Sequence, residues 1–320
     1  MKKIIILSGE PESINSEIIC KVWKRISNQL RKKIYVIGSF NLINKQLSKL
    51  GFKINLEKVN KIGENTNTNK LKIIDVKLSF NNPFKINKHK TKNYLHQSFN
   101  IAHKIATKNL DIAGIINCSV DKKFLDNKKL GVTEYLASKC LIKKNSEVML
   151  IRNNKLAVSP ITTHNNLREI PKKLSKKLII TKVKSINYYY KKIFSKKPKI
   201  AVLGLNPHNG ELKKYSEEIR IIIPAIKHLK KLNVNIYGPY VSDTIFINDY
   251  KKFDVIVGMY HDQVLTPFKA LYKFNAINLT LGLDYLRASP DHGVAGDLIG
   301  KNKANHTSLL ECIKFINQFG

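Results

Sequence analysis

Short apolar runs alternate with longer amphipathic stretches along this chain, the rhythm of strands alternating with helices in an α/β fold. The runs predict strands at Lys3 to Leu7, Ile34 to Ile37, Ile73 to Val76, Ile112 to Ile116, Glu147 to Ile151, Lys199 to Leu205, Val234 to Tyr237, Asp254 to Met259 and Ala276 to Leu279. Helical periodicity predicts helices over Glu17 to Leu30, Tyr94 to Lys108 and Ser216 to Leu232. Leu95, Phe99, Ala102 and Ala106 share one face of the second. The third opens on Ser216-Glu217-Glu218, a cap with carboxylates where the helix dipole favours them. Pro224 should bend that helix or lie near its start. Two stretches read as connectors, the polar Asn60 to Lys70 and the basic Lys191 to Lys199, and there is no internal repeat.

The ends of three apolar runs carry unusual chemistry. The run from Val255 ends not in ordinary turn residues but in His261-Asp262-Gln263, with Lys269 beyond. His208 follows the run ending at Leu205, in "AVLGLNPHNGE", and His164 closes "AVSPITTHNNL". In open α/β sheets, ligands bind at the carboxyl ends of strands. Three neutral imidazoles can hold a divalent transition metal and leave a position open for substrate oxygens. Each can equally finish its strand with ordinary hydrogen bonds, and no H-E-x-x-H pair decides between the two readings. Asp243, Asp262, Lys269, Asn278, Arg287 and the pair Asp291-His292 surround these positions in the sequence. Lysine and arginine there suit a phosphate or carboxylate. Asp243 is equally a helix cap and Arg287 equally a surface ion pair. There is no G-x-G-x-x-G, no P-loop and no G-x-S-x-G.

Composition narrows the picture less than its extremes suggest. With 320 residues, 43% hydrophobic and 25% charged, the chain has room for two packed domains. No apolar run approaches a membrane span. The N-terminal "MKKIIILSGEP" breaks too early for a signal peptide and reads as a first strand, which gives a cytoplasmic expectation. Cys20, Cys118, Cys140 and Cys312 are scattered without a C-x-x-C pair and are expected to be free thiols. The net charge of +34 comes from lysines spread among Asn and Ile, with no aromatic-interleaved basic block. That favours solvated lysine faces over a nucleic-acid surface, and it is compatible with an anionic substrate.

Six ordered motifs go further. "GVTEYLA" (131–137), "GLNPHNGE" (204–211), "IIIPAI" (221–226), "GPYVSDTIF" (238–246), "GMYHDQVLTPFK" (258–269) and "NLTLGLDYLRASPDHGVAGDLIG" (278–300) together resemble the 4-hydroxythreonine-4-phosphate dehydrogenase family of vitamin B6 biosynthesis. The resemblance implies a two-domain α/β/α sandwich like that of isocitrate and isopropylmalate dehydrogenases, with the active site in the interdomain cleft. Motif order places residues 1–128 plus 297–320 in the first domain and 129–296 in the second. The implied reaction is a metal-dependent, NAD-linked oxidation and decarboxylation of a small phosphorylated substrate, with NADP as the other possible acceptor. A homodimer would share the site. By motif position His164, His208 and His261 are the implied metal ligands, with His261 donated across the dimer. Thr133, Lys269, Asn278 and Arg287 are the implied substrate contacts, and Asp243 and Asp262 lie in the implied site, with Lys269, as its catalytic groups. All-histidine ligation suits zinc, cobalt or nickel, and the family admits magnesium as well.

Departures from the family pattern cluster away from the histidines. The family's G-D-P-x-G-I-G-P-E is here "GEPESINSE", with Glu10 for aspartate and Ser13 and Asn15 where glycines are expected. Its T-A-P-I-N-K is here "NCSVDK", which keeps Lys122. Val132 stands where a substrate-contacting histidine is expected, and Leu212-Lys213-Lys214 replaces a glycine-rich stretch. A relative acting on phosphorylated threonate or erythronate, or on a dihydrodiol carboxylate, is the alternative reading. A binding protein without turnover and a lysine-rich nucleic-acid binder are the readings outside the enzyme class.

Overall fold

The computed structural model describes residues 1–64, 68–124, 132–140 and 146–320, with the side chains at 122, 133, 134, 137 and 139 outside the described set. All nine expected strands form, and three more join them. The chain folds into two compact units, one of residues Met1–Cys140 with Leu283–Gly320, the other of Leu141–Gly282. The first unit holds β1 (Lys3–Leu7), β2 (Ile34–Gly38), β3 (Asn55–Lys58), β4 (Lys70–Asp75) and β5 (Ile112–Asn117). The second holds β6 (Val148–Arg152), β7 (Ala157–Pro160), β8 (Ile200–Leu203), β9 (Ile236–Tyr240), β10 (Val255–Gly258) and β11 (Ile277–Leu281). The chain then returns to the first unit for β12 (Arg287–Pro290).

The strand order in the first unit is β3-β4-β2-β1-β5-β12, and every neighbouring pair is parallel. An all-parallel sheet needs both faces covered, which is why β1, β2 and β5 are buried along almost their whole length and rich in Ile. The helix Lys88–Lys108 packs on β1, β2 and β5, and the helix Thr307–Phe319 packs on β1, β5 and β12. Because β12 pairs with β5, Arg287 opposite Ile115 and Ala288 opposite Ile116, the segment 283–296 lies in the first unit. Residues 132–140 also fall there, so Val132, Thr133 and Arg287 belong to the first unit rather than the second.

The second unit is mixed. Its order is β11-β6-β7-β10-β8-β9, in which β6 is antiparallel to both neighbours and β7, β10, β8 and β9 are mutually parallel. Its core joins Ile151, Val158, Ala201, Leu203 and Ile256 of the sheet to Val264, Leu265 and Phe268 of the helix His261–Tyr272.

The helices depart from the periodic reading in three places. Glu17 to Leu30 is two helices, Asn15–Trp23 and Asn28–Lys33, because Ser27 accepts from Leu30 N–H and starts a new helix. Ser216 to Leu232 begins with a π-helical turn, Glu218–Ile222, before the α-helix Ile223–Lys231, so Pro224 sits harmlessly in a first turn. The helix Lys176–Phe194 takes the first residues of the basic connector and ends at Ser195, whose φ is 54°. The strands β3, β7 and β12 escaped the pattern for different reasons. β3 is a half-exposed edge with one large apolar residue, and β7 and β12 are four residues long with Ser or Arg among them. Among the described residues, no helix is long and apolar enough to cross a membrane.

Candidate functional site

The four parallel strands of the second unit finish side by side, and each is followed at once by a candidate donor. Along β7-β10-β8-β9 these are His164, His261, His208 and Asp243. Adjacent strands lie about 5 Å apart, so the sheet brings the four loops that carry these groups side by side. The rings of His164 and His261 confirm this locally, with centroids 5.4 Å apart and planes tilted by 38°. His208 Nε2 lies 3.9 Å from Asp243 Oδ2. That separation is too long for a hydrogen bond, and both side chains are mostly exposed, so the pair adds little to stability.

Each donor stands on a buried anchor. For His164, Thr162 donates to the Met259 carbonyl through its backbone N–H (3.2 Å) and its hydroxyl (2.7 Å), which ties the loop after β7 to the end of β10. For His208, the backbone itself is unusual. His208, Asn209, Gly210, Glu211 and Leu212 all have φ between 49° and 59°, a left-handed turn in which only one residue is glycine. Each non-glycine residue there costs about 1 kcal/mol, so the turn persists only because its surroundings impose it. Glu218 is the chief restraint. Its carboxylate, fully buried, accepts from the backbone N–H of Leu205 (2.7 Å) and Asn206 (2.8 Å) and from Asn206 Nδ2 (3.0 Å). Burial pushes this carboxyl up, but the Asn206 and Leu205 donors outweigh it and hold it below the ordinary carboxylate range. Asn209 Nδ2 adds a bond to the Pro239 carbonyl at 3.1 Å.

For His261 and Asp243 the restraint is Gln263. Its Oε1 accepts from Met259 N–H (2.6 Å), and its Nε2 donates to the Gly204 carbonyl (2.7 Å) and to Ser242 Oγ (2.7 Å). Gln263 and Glu218 were not singled out as site residues by the sequence. Glu218 reads there as a dipole-complementing helix residue, and Gln263 as part of a polar strand end. The signal available was their position, Gln263 two residues after His261 and Glu218 ten after His208, which does not reveal burial.

The remaining candidates fall as follows. Asp262 is exposed in the first turn of the helix His261–Tyr272, and Lys269 is exposed in its last turn. Asn278 lies inside β11 opposite Ile151, and its Oδ1 is buried without a hydrogen-bond partner among the described residues. Asp243 is not a cap, since Val241 occupies that position in the helix Ser242–Ile245. Arg287 is not a surface ion-pair residue. It is 2% exposed in the first unit, where its Nε–H donates to Asn117 Oδ1 at 2.6 Å. The side chain of Thr133 lies outside the described residues.

The first unit shows how its departures are accommodated. Neither Ser13 nor Asn15 has positive φ, so glycine is not needed at either place. Instead Ser13 Oγ donates to the Glu10 carbonyl (2.5 Å) and accepts from Asn15 N–H (3.1 Å), while Asn15 Nδ2 donates to the Ser119 carbonyl (2.9 Å). Glu10 is buried and accepts from Asp121 N–H at 2.7 Å. Burial pushes its carboxyl up to about 7 despite that bond and the nearby Lys123.

The donor chemistry of the second unit, three imidazoles and a carboxylate, fits a divalent transition metal. Within one chain these donors form two pairs, and no group of three His, Cys, Asp or Glu able to hold a metal is found among the described residues.

Comparison with known proteins gives the family context. The family model for pyridoxal phosphate biosynthetic protein PdxA matches residues 29–316. A 4-hydroxythreonine-4-phosphate dehydrogenase from Sulfurihydrogenibium sp. (strain YO3AOP1) is 36% identical over 324 residues, covering 98% of this chain and 97% of that protein. The crystal structure of 4-hydroxythreonine-4-phosphate dehydrogenase from Klebsiella pneumoniae superposes with a TM-score of 0.86 at 28% identity, covering 100% of this chain and 99% of that one. An isocitrate dehydrogenase from Methylococcus capsulatus matches with a TM-score of 0.50 at 11% identity, covering 100% of this chain and 86% of that one, a likeness of fold alone.

Proposed function

The chain belongs to the pyridoxal phosphate biosynthetic protein PdxA family and is an oxidoreductase, and from that premise we propose that it oxidises and decarboxylates 4-phosphooxy-L-threonine, giving 3-amino-2-oxopropyl phosphate. The hydride acceptor is NAD or NADP, and a divalent metal, zinc, cobalt or magnesium, assists. The observation that carries the reading is the row of donors after β7, β10, β8 and β9, in a chain of this family.

His164, His208 and His261 would hold the ion, with Asp243 beside His208 and a second copy of the chain completing the set, as the motif resemblance implies. When bound, the ion lends Lewis acidity to a substrate oxygen and the nicotinamide takes up hydride. The chain's own groups do the positioning. Lys269 offers a cation to the substrate's phosphate or carboxylate, and the resemblance assigns the same class of anion to Arg287, whose Nε–H donates to Asn117. Asp243 and Asp262 are exposed carboxylates able to take up or return a proton at the reacting carbon or oxygen. Asn278 Oδ1 is a buried acceptor awaiting a donor such as the substrate's ammonium or hydroxyl.

Val132 favours a second substrate reading, because a valine side chain cannot donate to a phosphate or carboxylate. One experiment separates the two: NADH formation by purified protein with a divalent metal, NAD and 4-phosphooxy-L-threonine, beside 4-phosphoerythronate, with a chelator control. Turnover confined to the threonine derivative supports the proposal. Turnover confined to the erythronate, or turnover indifferent to the chelator, overturns it.

A further inference from the structure

Gln263 makes three short hydrogen bonds to three different segments, and each segment carries a candidate donor. Met259 is two residues before His261, Gly204 is four residues before His208, and Ser242 adjoins Asp243. The amide orientation is unambiguous, because Met259 N–H can only donate and the Gly204 carbonyl can only accept. The side chain is 8% exposed and both amide protons are used. Gly258 leaves the room this requires, since a Cβ there would lie 2.9 Å from Gln263 Oε1. The glutamine itself lies in the first turn of the helix that opens at His261, so the helix, the end of β8 and the turn after β9 are fixed to one planar group.

We propose that Gln263 is a positioning residue of the metal centre, tying the segments that carry His208 and Asp243, which serve one ion, to the segment that carries His261, which the resemblance donates to the ion of a second copy. This rests on the reading of that site as a metal centre. Gln263 touches neither metal nor substrate. Its effect is to fix the geometry of the groups that do, and supporting hydrogen bonds of this kind change metal affinity 10- to 100-fold when removed.

The test uses the full-length protein and Co²⁺ as the probe, comparing wild type with Gln263→Met and Gln263→Glu by calorimetric titration, by the visible spectrum of bound Co²⁺ and by the Tm of the metal-free protein. Methionine keeps the volume and removes all three bonds. The expected result is Co²⁺ affinity lowered by about 10- to 100-fold, an altered visible spectrum, and kcat reduced more than KM rises, with the metal-free protein still folded at the assay temperature. Glutamate keeps the Met259 bond and can accept from the Ser242 hydroxyl, leaving only the Gly204 carbonyl unserved. It should give an intermediate affinity, and it carries the test should the methionine variant not fold. Affinity and spectrum equal to wild type in the folded variants would overturn the assignment of Gln263 alone. Wild-type protein that takes up no Co²⁺ would overturn the metal reading, and this assignment with it.

Discussion

After β1 in the first unit, the chain turns its polar side chains inward: Ser13, Asn15 and Glu10 bond within the loop and to the Ser119 and Asp121 backbone after β5, and the one strained residue is a glycine. After β8 in the second unit, the chain turns His208 outward on a run of five left-handed residues and places its polar support beneath, in Glu218 and Gln263. Both loops leave the carboxyl ends of parallel strands. One turns its hydrogen bonds inward, and the other leaves its imidazole exposed while Glu218, Asn206 and Asn209 anchor the turn that carries it. A loop that must present donors to a ligand is distinguished by this layering, with buried restraints below and the donor exposed above. Substituted positions are absorbed in the first loop because its job there is closure, which serine and asparagine perform with side-chain bonds.

Breaking the support of the exposed loop should have the largest effect. Glu218→Ala removes the acceptor for Leu205 N–H, Asn206 N–H and the Asn206 amide, all in a fully buried setting. The expected cost is about 3–5 kcal/mol, from buried donors left without partners. The left-handed turn should relax with it, so metal retention should be lost even where the variant folds. Urea unfolding and equilibrium dialysis against Co²⁺ check the two parts, and a variant within about 1 kcal/mol of wild type would show that the turn is held by something else. The lowered carboxyl of Glu218 adds a pH signature. Its stabilisation is present above the ordinary carboxyl range and is lost as the pH falls through the depressed value.

Gly9→Ala strikes the inward-facing loop instead. Gly9 has φ of 73°, and a Cβ there would lie 2.6 Å from both Asn15 Nδ2 and the Ser119 carbonyl. The two carbonyls of Cys118 and Ser119 cannot move aside without disturbing β5, so about 2–3 kcal/mol should be lost. If the comparison is sound, Co²⁺ affinity of the folded variant stays within about two-fold of wild type, because the donors stand on the other unit's strands. A parallel loss of metal affinity would show that the two loops are not independent.

Much of this was readable from the chain before its fold. The parallel strands announce themselves because burial on both faces makes them near-continuous apolar runs, and the histidines stand out because they interrupt the turn chemistry that follows. β12 did not, since its first residue is an arginine whose burial depends on Asn117, 170 positions away. Glu218 and Gln263 were equally hidden. A buried carboxylate and a surface one look alike in sequence, and the difference lies in whether Asn206 or the Gly204 carbonyl folds back to meet them. The expected domain boundary moved for a similar reason, because the pairing of β12 with β5 is a long-range contact no local pattern encodes. The connector at Asn60 to Lys70 holds residues 65–67, which lie outside the described residues.

The smallest expected effect is the most diagnostic of an inward-facing loop. Glu10 is 5% exposed, and burial raises its carboxyl from 4.5 to about 7, against the opposing pull of the Asp121 N–H and Lys123. A carboxyl raised on folding favours the protonated folded state, so its stabilisation is complete below the unfolded value of 4.5 and fades as the pH rises through about 7. Glu10→Gln mimics the protonated form, and its amide oxygen can still accept from Asp121 N–H. Wild type should therefore lose about 1–2 kcal/mol between acidic and mildly alkaline buffer, while the glutamine variant loses none of it. Urea unfolding midpoints at the two pH values measure this directly. Parallel pH dependence in the two proteins would mean that Glu10 stays ionised throughout and that this loop, too, holds a charge toward something outside itself.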